Sequence, residues 1–147
     1  MSAFTGALTI THLDTDWRLW RIETPLIYEV GEKGSGRAIV VPSGFITDGA
    51  SVPRFLWGML PAWGKYSRAA VVHDYLLECL VRRSPHAEAP NRRAADLIFY
   101  EAAIVSGTGC LMRWFLYAGV YIGRQNALIK GRFSSWRITK SGMNAGG

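Results

Sequence analysis

The hydrophobic period of this chain changes once, and that change restricts the fold more than any other feature. Up to about residue 47 apolar side chains recur every second position: Leu8 to His12, Trp17 to Ile22, Leu26 to Val30 and Arg37 to Val41, with Phe45-Ile46-Thr47 as a short resumption. Period two is the signature of strands with one buried face. Gly31-Glu32-Lys33-Gly34-Ser35-Gly36 separates two of these runs and reads as a hairpin loop. After Gly64 the spacing becomes helical. Ala69, Val72, His73, Leu76, Leu77 and Leu80 share one face of a helix over about Tyr66 to Val81. Pro85 and Pro90 bracket the next loop, and Asn91 is placed to cap a second helix ending near Val105, before Ser106-Gly107. A third helix is expected over Cys110 to Ile129.

The expected architecture is therefore α+β: an N-terminal antiparallel β meander (about 5–50) followed by a three-helix C-terminal half (about 52–130). The tail, about 132–147, should be loose. With 147 residues and no composition break, one domain covering 1–147 is the simplest organisation.

Charge and cysteines narrow the class of partner. The net charge is +6, from 17 basic and 11 acidic residues, but the basic residues are scattered and no nucleic-acid-binding module is recognisable. Specific nucleic-acid binding is not expected. Cys79 and Cys110 have neither CxxC nor zinc spacing and fall in apolar stretches, which suggests buried free thiols. The longest apolar run, Trp114 to Gly123, is shorter than the ~20 residues that cross a bilayer. No transmembrane segment and no signal peptide are expected, so a soluble protein is the expectation. Oligomeric state is left open.

His73-Asp74 and Asp96 are the candidate site. His73 and Asp96 both sit on inward faces of consecutive helices, where an ionisable group is costly unless paired. A carboxylate bonded to one imidazole nitrogen fixes the tautomer and leaves the other as a base. The expected contact is Nδ1–H to Asp96, with Nε2 as the base. Asp74, about 100° round the helix, could hold a divalent cation, joined by Asp48 from the Thr47-Asp48-Gly49-Ala50-Ser51 turn. Ser51, Arg54, Arg68 and Tyr75 would shape the site; Ser51 has no nucleophile elbow around it. The cofactor is otherwise unknown.

Two points count against chemistry. His73 lies about eight residues before the end of its helix and Asp96 about five into the next, so the two are level only if the first helix ends near Cys79. A one-turn offset of about 5.4 Å breaks the bond. The alternative is a core histidine, with Asp96 satisfied by Arg92 or by backbone. Asp48 and Ser51 likewise have an ordinary reading as turn caps.

Three ordered segments carry a resemblance: Val41 to Arg54 (VPSGFITDGASVPR), Tyr66 to Leu76 (YSRAAVVHDYL) and Arg93 to Phe99 (RAADLIF). Together they resemble the DUF1353 family, small proteins largely from tailed phages and prophages. Membership implies a phage origin, other virion proteins as partners, a tail, virion or lysis-region context, and therefore a place in a virion or the host cytoplasm. The His73, Asp74 and Asp96 constellation is also similar to that of secreted phospholipase A2. There the His is the general base, its neighbouring Asp binds calcium and the later Asp orients the His. The disulfides and the Gly-rich calcium loop of those enzymes have no counterpart here. On these grounds the sequence favours a non-catalytic virion, tail or assembly component. The alternative is a metal-assisted ester or amide hydrolase acting on the cell envelope during entry or lysis.

Overall fold

A computed structural model describes residues 1–14, 19–47, 65–110, 113–114 and 117–118. It is α+β. Six strands precede two helices: β1 (Ala3–Thr5), β2 (Ile10–His12), β3 (Trp20–Ile22), β4 (Leu26–Glu29), β5 (Ala38–Val41), β6 (Ile46–Thr47), α1 (Ser67–Val81) and α2 (Arg92–Val105). The expected single meander is instead two three-stranded antiparallel sheets, ordered β1-β4-β5 and β2-β3-β6. β3 and β4 do not pair because β6 takes the edge of β3, and β1, which has too few alternating residues to be seen in the sequence, takes that of β4. It pairs with β4 in the register Ala3↔Glu29 to Thr5↔Ile27, while β3 pairs with β2 and β6. Two helices rather than three are complete among the described residues. The expected third helix falls mostly outside them, although Cys110, Arg113, Trp114, Tyr117 and Ala118 have helical backbone. The tail lies wholly outside.

Period two survives in the burial. Leu26 and Tyr28 of β4 and Ile39 and Val41 of β5 are fully buried, and the residues between them are not. α1 buries Ser67, Ala69, Ala70, Val71, Val72, His73 and Leu76, which is most of its circumference over the first three turns. The reason is position: α1 packs against β4, β5 and β6 on one side and α2 on the other. α2 buries one face (Ala95, Asp96, Ile98, Phe99, Ala102, Ala103), at the i, i+3, i+4, i+7 spacing of an amphipathic helix. Val105 and Ser106, at the end of α2, line the same cavity as Ser67 and Arg68 at the start of α1, so the two helices run antiparallel.

Local chemistry sets the helix ends. Asn91 caps α2, its side-chain oxygen accepting from Ala94 N–H at 3.0 Å, an arrangement worth about 1 kcal/mol. α1 stops where Arg83 takes a left-handed conformation (φ 57) and Ser84 N–H reaches back to Cys79 O at 3.0 Å. The connection, 82–91, then folds back on itself through a His86↔Ala89 bridge, with Ala89 fully buried. Glu88 in this loop accepts from Arg37 Nε at 3.0 Å, which ties the loop to β5 and holds the Glu88 carboxyl below its usual range. The cysteines are free, but Cys79 is half-buried and Cys110 exposed. They do not fill the core as expected, because Cys79 lies beyond the most buried turns of α1.

A polar node joins the first sheet to α2. Glu101 Oε1 accepts from the Tyr28 hydroxyl at 3.0 Å, from Gly31 N–H at 3.2 Å and from the Ser2 hydroxyl. Ser2 Oγ in turn accepts from Gly31 N–H at 3.0 Å. Burial, and then the adjacent Glu101 carboxylate, push the Tyr28 phenol well above its ordinary value of 10.0. A group whose pKa is raised on folding stabilises the fold below its unfolded pKa, and that contribution fades as pH rises beyond it. The melting temperature should therefore fall as pH is raised past about 10. Tyr28→Phe should show a shallower fall, measured by thermal melts from pH 8 to 11. Parallel curves for the two proteins would refute this assignment.

Candidate active site

The site is built where α1 lies between α2 and the second sheet. His73 Nε2 is 2.9 Å from Asp96 Oδ1. Both side chains are 8% exposed. The ring of Phe99, one turn beyond Asp96, sits against the imidazole with centroids 5.0 Å apart at a 43° tilt, which fixes the ring plane. Asp74 points away from α2, and its Oδ2 accepts from the Thr47 hydroxyl at 2.6 Å. Thr47 is itself held by its pairing with Trp20 in the β3–β6 ladder. Two adjacent residues on one helix thus reach two different elements, as the 100° step requires.

The offset that argued against the pair is absent. α1 does run eight residues past His73 to Val81, and Asp96 is four residues past Arg92. At 1.5 Å per residue that is a mismatch of about 6 Å for a tight turn. The ten residues 82–91 absorb it by returning alongside the end of α1 before α2 begins.

The ring nitrogen differs from expectation. Nε2, not Nδ1, meets the carboxylate. The distal nitrogen is the one that reaches across an interhelical gap of about 8–10 Å, while Nδ1 stays near its own backbone. A carboxylate only accepts, so Nε2 carries a proton in this contact, and in the neutral ring Nδ1 keeps its lone pair. Asp96 forms no ion pair with Arg92, whose Nε is buried without a partner.

The remaining candidates are dispersed. Tyr75 lies on the far side of α1 from Asp96, its ring edge-on to Phe45 at 5.5 Å, and burial raises its phenol pKa. Arg68 is over the Phe4 ring, 5.9 Å from its centroid, at the sheet end of α1. Neither joins His73. Asp48, Ser51 and Arg54 lie outside the described residues. As a cation ligand Asp74 offers a hard carboxylate oxygen, which suits Ca²⁺ or Mg²⁺ rather than a thiol-seeking metal. Among the described residues no three His, Cys, Asp or Glu side chains group to hold a metal. Sequence reading missed Thr47 as the partner of Asp74 and missed Glu101. A lone Thr at a strand end and a lone Glu on a helix carry no pattern that could have flagged them.

Residues 20–120 match the DUF1353 model, described as a protein of unknown function. The chain belongs to this family. The match takes in β3 to β6, both helices and the whole His73–Asp96 pair, so the candidate site lies inside the part that defines DUF1353. No curated protein and no solved structure matches the chain. Among the described residues no helix is long and apolar enough to cross a membrane.

Proposed function

We propose that this DUF1353 protein is a phage-encoded hydrolase of ester or amide bonds in the cell envelope, with His73 as general base. The observation that carries the reading is the 2.9 Å bond between His73 Nε2 and Asp96 Oδ1 across two helices. Asp96 holds the Nε2–H tautomer and stabilises the imidazolium that forms when Nδ1 takes a proton from water. The water oxygen attacks the carbonyl carbon, and the proton then passes from Nδ1 to the leaving group. Asp74, with Asp48 as the sequence proposes, would hold a divalent cation; when bound, the cation polarises the carbonyl oxygen.

A panel of chromogenic esters and amides, assayed with Ca²⁺, with Mg²⁺ and with chelator, tests the reading. Turnover should fall at least about 100-fold in His73→Gln. The divalent-ion shift in melting temperature should vanish in Asp74→Asn. Equal activity of wild type and His73→Gln on every substrate would end the hydrolase reading.

The 8% exposure of both side chains favours a second reading. In it the pair clamps α1 to α2 inside a non-catalytic virion, tail or assembly component. That reading expects His73→Gln phage to form plaques normally and the protein to co-purify with virions in fixed copy number.

A further inference from the structure

The structure points to a second site, away from His73, that takes a single-chain amphiphile with an anionic head. A cavity of about 710 Å³ opens between β1, β2 and the start of α1. Its size falls within the ~300–1,000 Å³ of small-molecule pockets. Phe4, Leu8, Ile10 and Val105 supply an apolar wall, while Lys65 and Arg68 stand on the α1 side. Among the described residues neither cation has an ion-pair partner. The Arg68 guanidinium is held over the Phe4 ring instead, so its charge lies directly against the apolar wall.

Backbone electrostatics act in the same direction. Tyr66, at the N-cap of α1, makes no side-chain cap bond, and the first residues of the helix, Ser67 and Arg68, line the cavity, which sets the positive end of the helix dipole towards it. The negative end of α2 also abuts the cavity, but three of its last four carbonyls are already occupied: Ser106, Gly107 and Thr108 N–H bond to the carbonyls of Ala102, Ile104 and Ala103. A carboxylate or phosphate at Lys65 and Arg68, with an alkyl chain along Phe4, Leu8 and Ile10, satisfies both halves of this surface. A free inorganic anion satisfies only one. The inference is independent of the hydrolase reading.

Dodecanoate, kept below its micellar concentration, is a suitable probe by calorimetric titration of the full chain. Saturable one-to-one binding is expected, at least ten-fold tighter than acetate and than dodecyltrimethylammonium. Lys65→Gln/Arg68→Gln should weaken it at least ten-fold, and His73→Gln should leave it unchanged. Since Arg68 is half-buried, the exposed Lys65→Gln alone provides the control, with a several-fold loss and an unaltered melting temperature. Dodecyl phosphate distinguishes the head group: tighter binding than dodecanoate identifies a phosphomonoester lipid, weaker binding a fatty carboxylate. No saturable binding, equal binding by the cationic amphiphile or by acetate, or an affinity unchanged in both variants would overturn the proposal.

Discussion

Asp96→Asn should lower the kcat of the proposed hydrolysis by about 10²–10⁴-fold while leaving the chain folded. The substitution preserves volume, so the helix contact around His73 and Phe99 survives. An amide, however, can turn its NH₂ group towards Nε2, which draws the imidazole proton to Nδ1. The lone pair that the proposed reaction needs is then lost. Asp96→Ala has a different signature. It leaves a buried imidazole N–H with no acceptor, at a cost of about 1–3 kcal/mol, and opens a small void in the α1–α2 contact. For a chain of this size the melting temperature should drop by roughly 2–4 °C per kcal/mol. A double-mutant cycle with His73→Ala separates the pair's own coupling from the void. Chemical denaturation alongside ester turnover makes the comparison. If Asp96→Asn retains wild-type turnover, Asp96 does not orient a base.

Glu101→Ala is the substitution with the largest expected loss of stability. One carboxylate oxygen collects three donors from three places: Ser2 at the N-terminus, Tyr28 in β4 and Gly31 at the loop after it. Hydrogen bonds to a charged group contribute about 1.5–3 kcal/mol each, and the three are not additive because Ser2 and Gly31 also bond each other. A loss of roughly 3–5 kcal/mol is expected, a large share of the 5–15 kcal/mol typical of a folded domain. Glu101→Gln keeps an acceptor oxygen and should lose less than half as much. The urea midpoint at constant slope reads the effect. An alanine variant within about 1 kcal/mol of wild type would mean that water replaces the carboxylate. β1 should be the first element released in Glu101→Ala, because Ser2 tethers it to α2, and amide exchange at Ala3 to Thr5 would show this.

Much of the candidate site was legible in the sequence because it depends on local rules. The helical period put His73 with Leu76 and Ala69, and Asp96 with Phe99 and Ala103, on faces that had to turn inward. Asn91 announced a helix start through a side-chain bond only three residues long. The alternation of β4 and β5 predicted which of Leu26, Ile27, Tyr28, Ile39, Val40 and Val41 would be buried. None of this required knowing what lay across the core.

Wherever two distant segments had to meet, the sequence was silent or misleading. Five short runs of alternating residues are compatible with one meander. β1 beside β4 and β6 beside β3 divide them into two sheets, and β1 is too short to announce itself. The level of His73 against Asp96 turned on the path of residues 82–91, in which a left-handed Arg83 and a buried Ala89 lower the start of α2 by about a turn. The choice of Nε2 over Nδ1 followed from the width of the interhelical gap. Thr47 met Asp74, and Ser2 met Glu101, across 27 and 99 residues. Period, caps and turns report energies that act over a few residues. The pairings that make a site from them are decided by long-range packing, which only the tertiary structure contains.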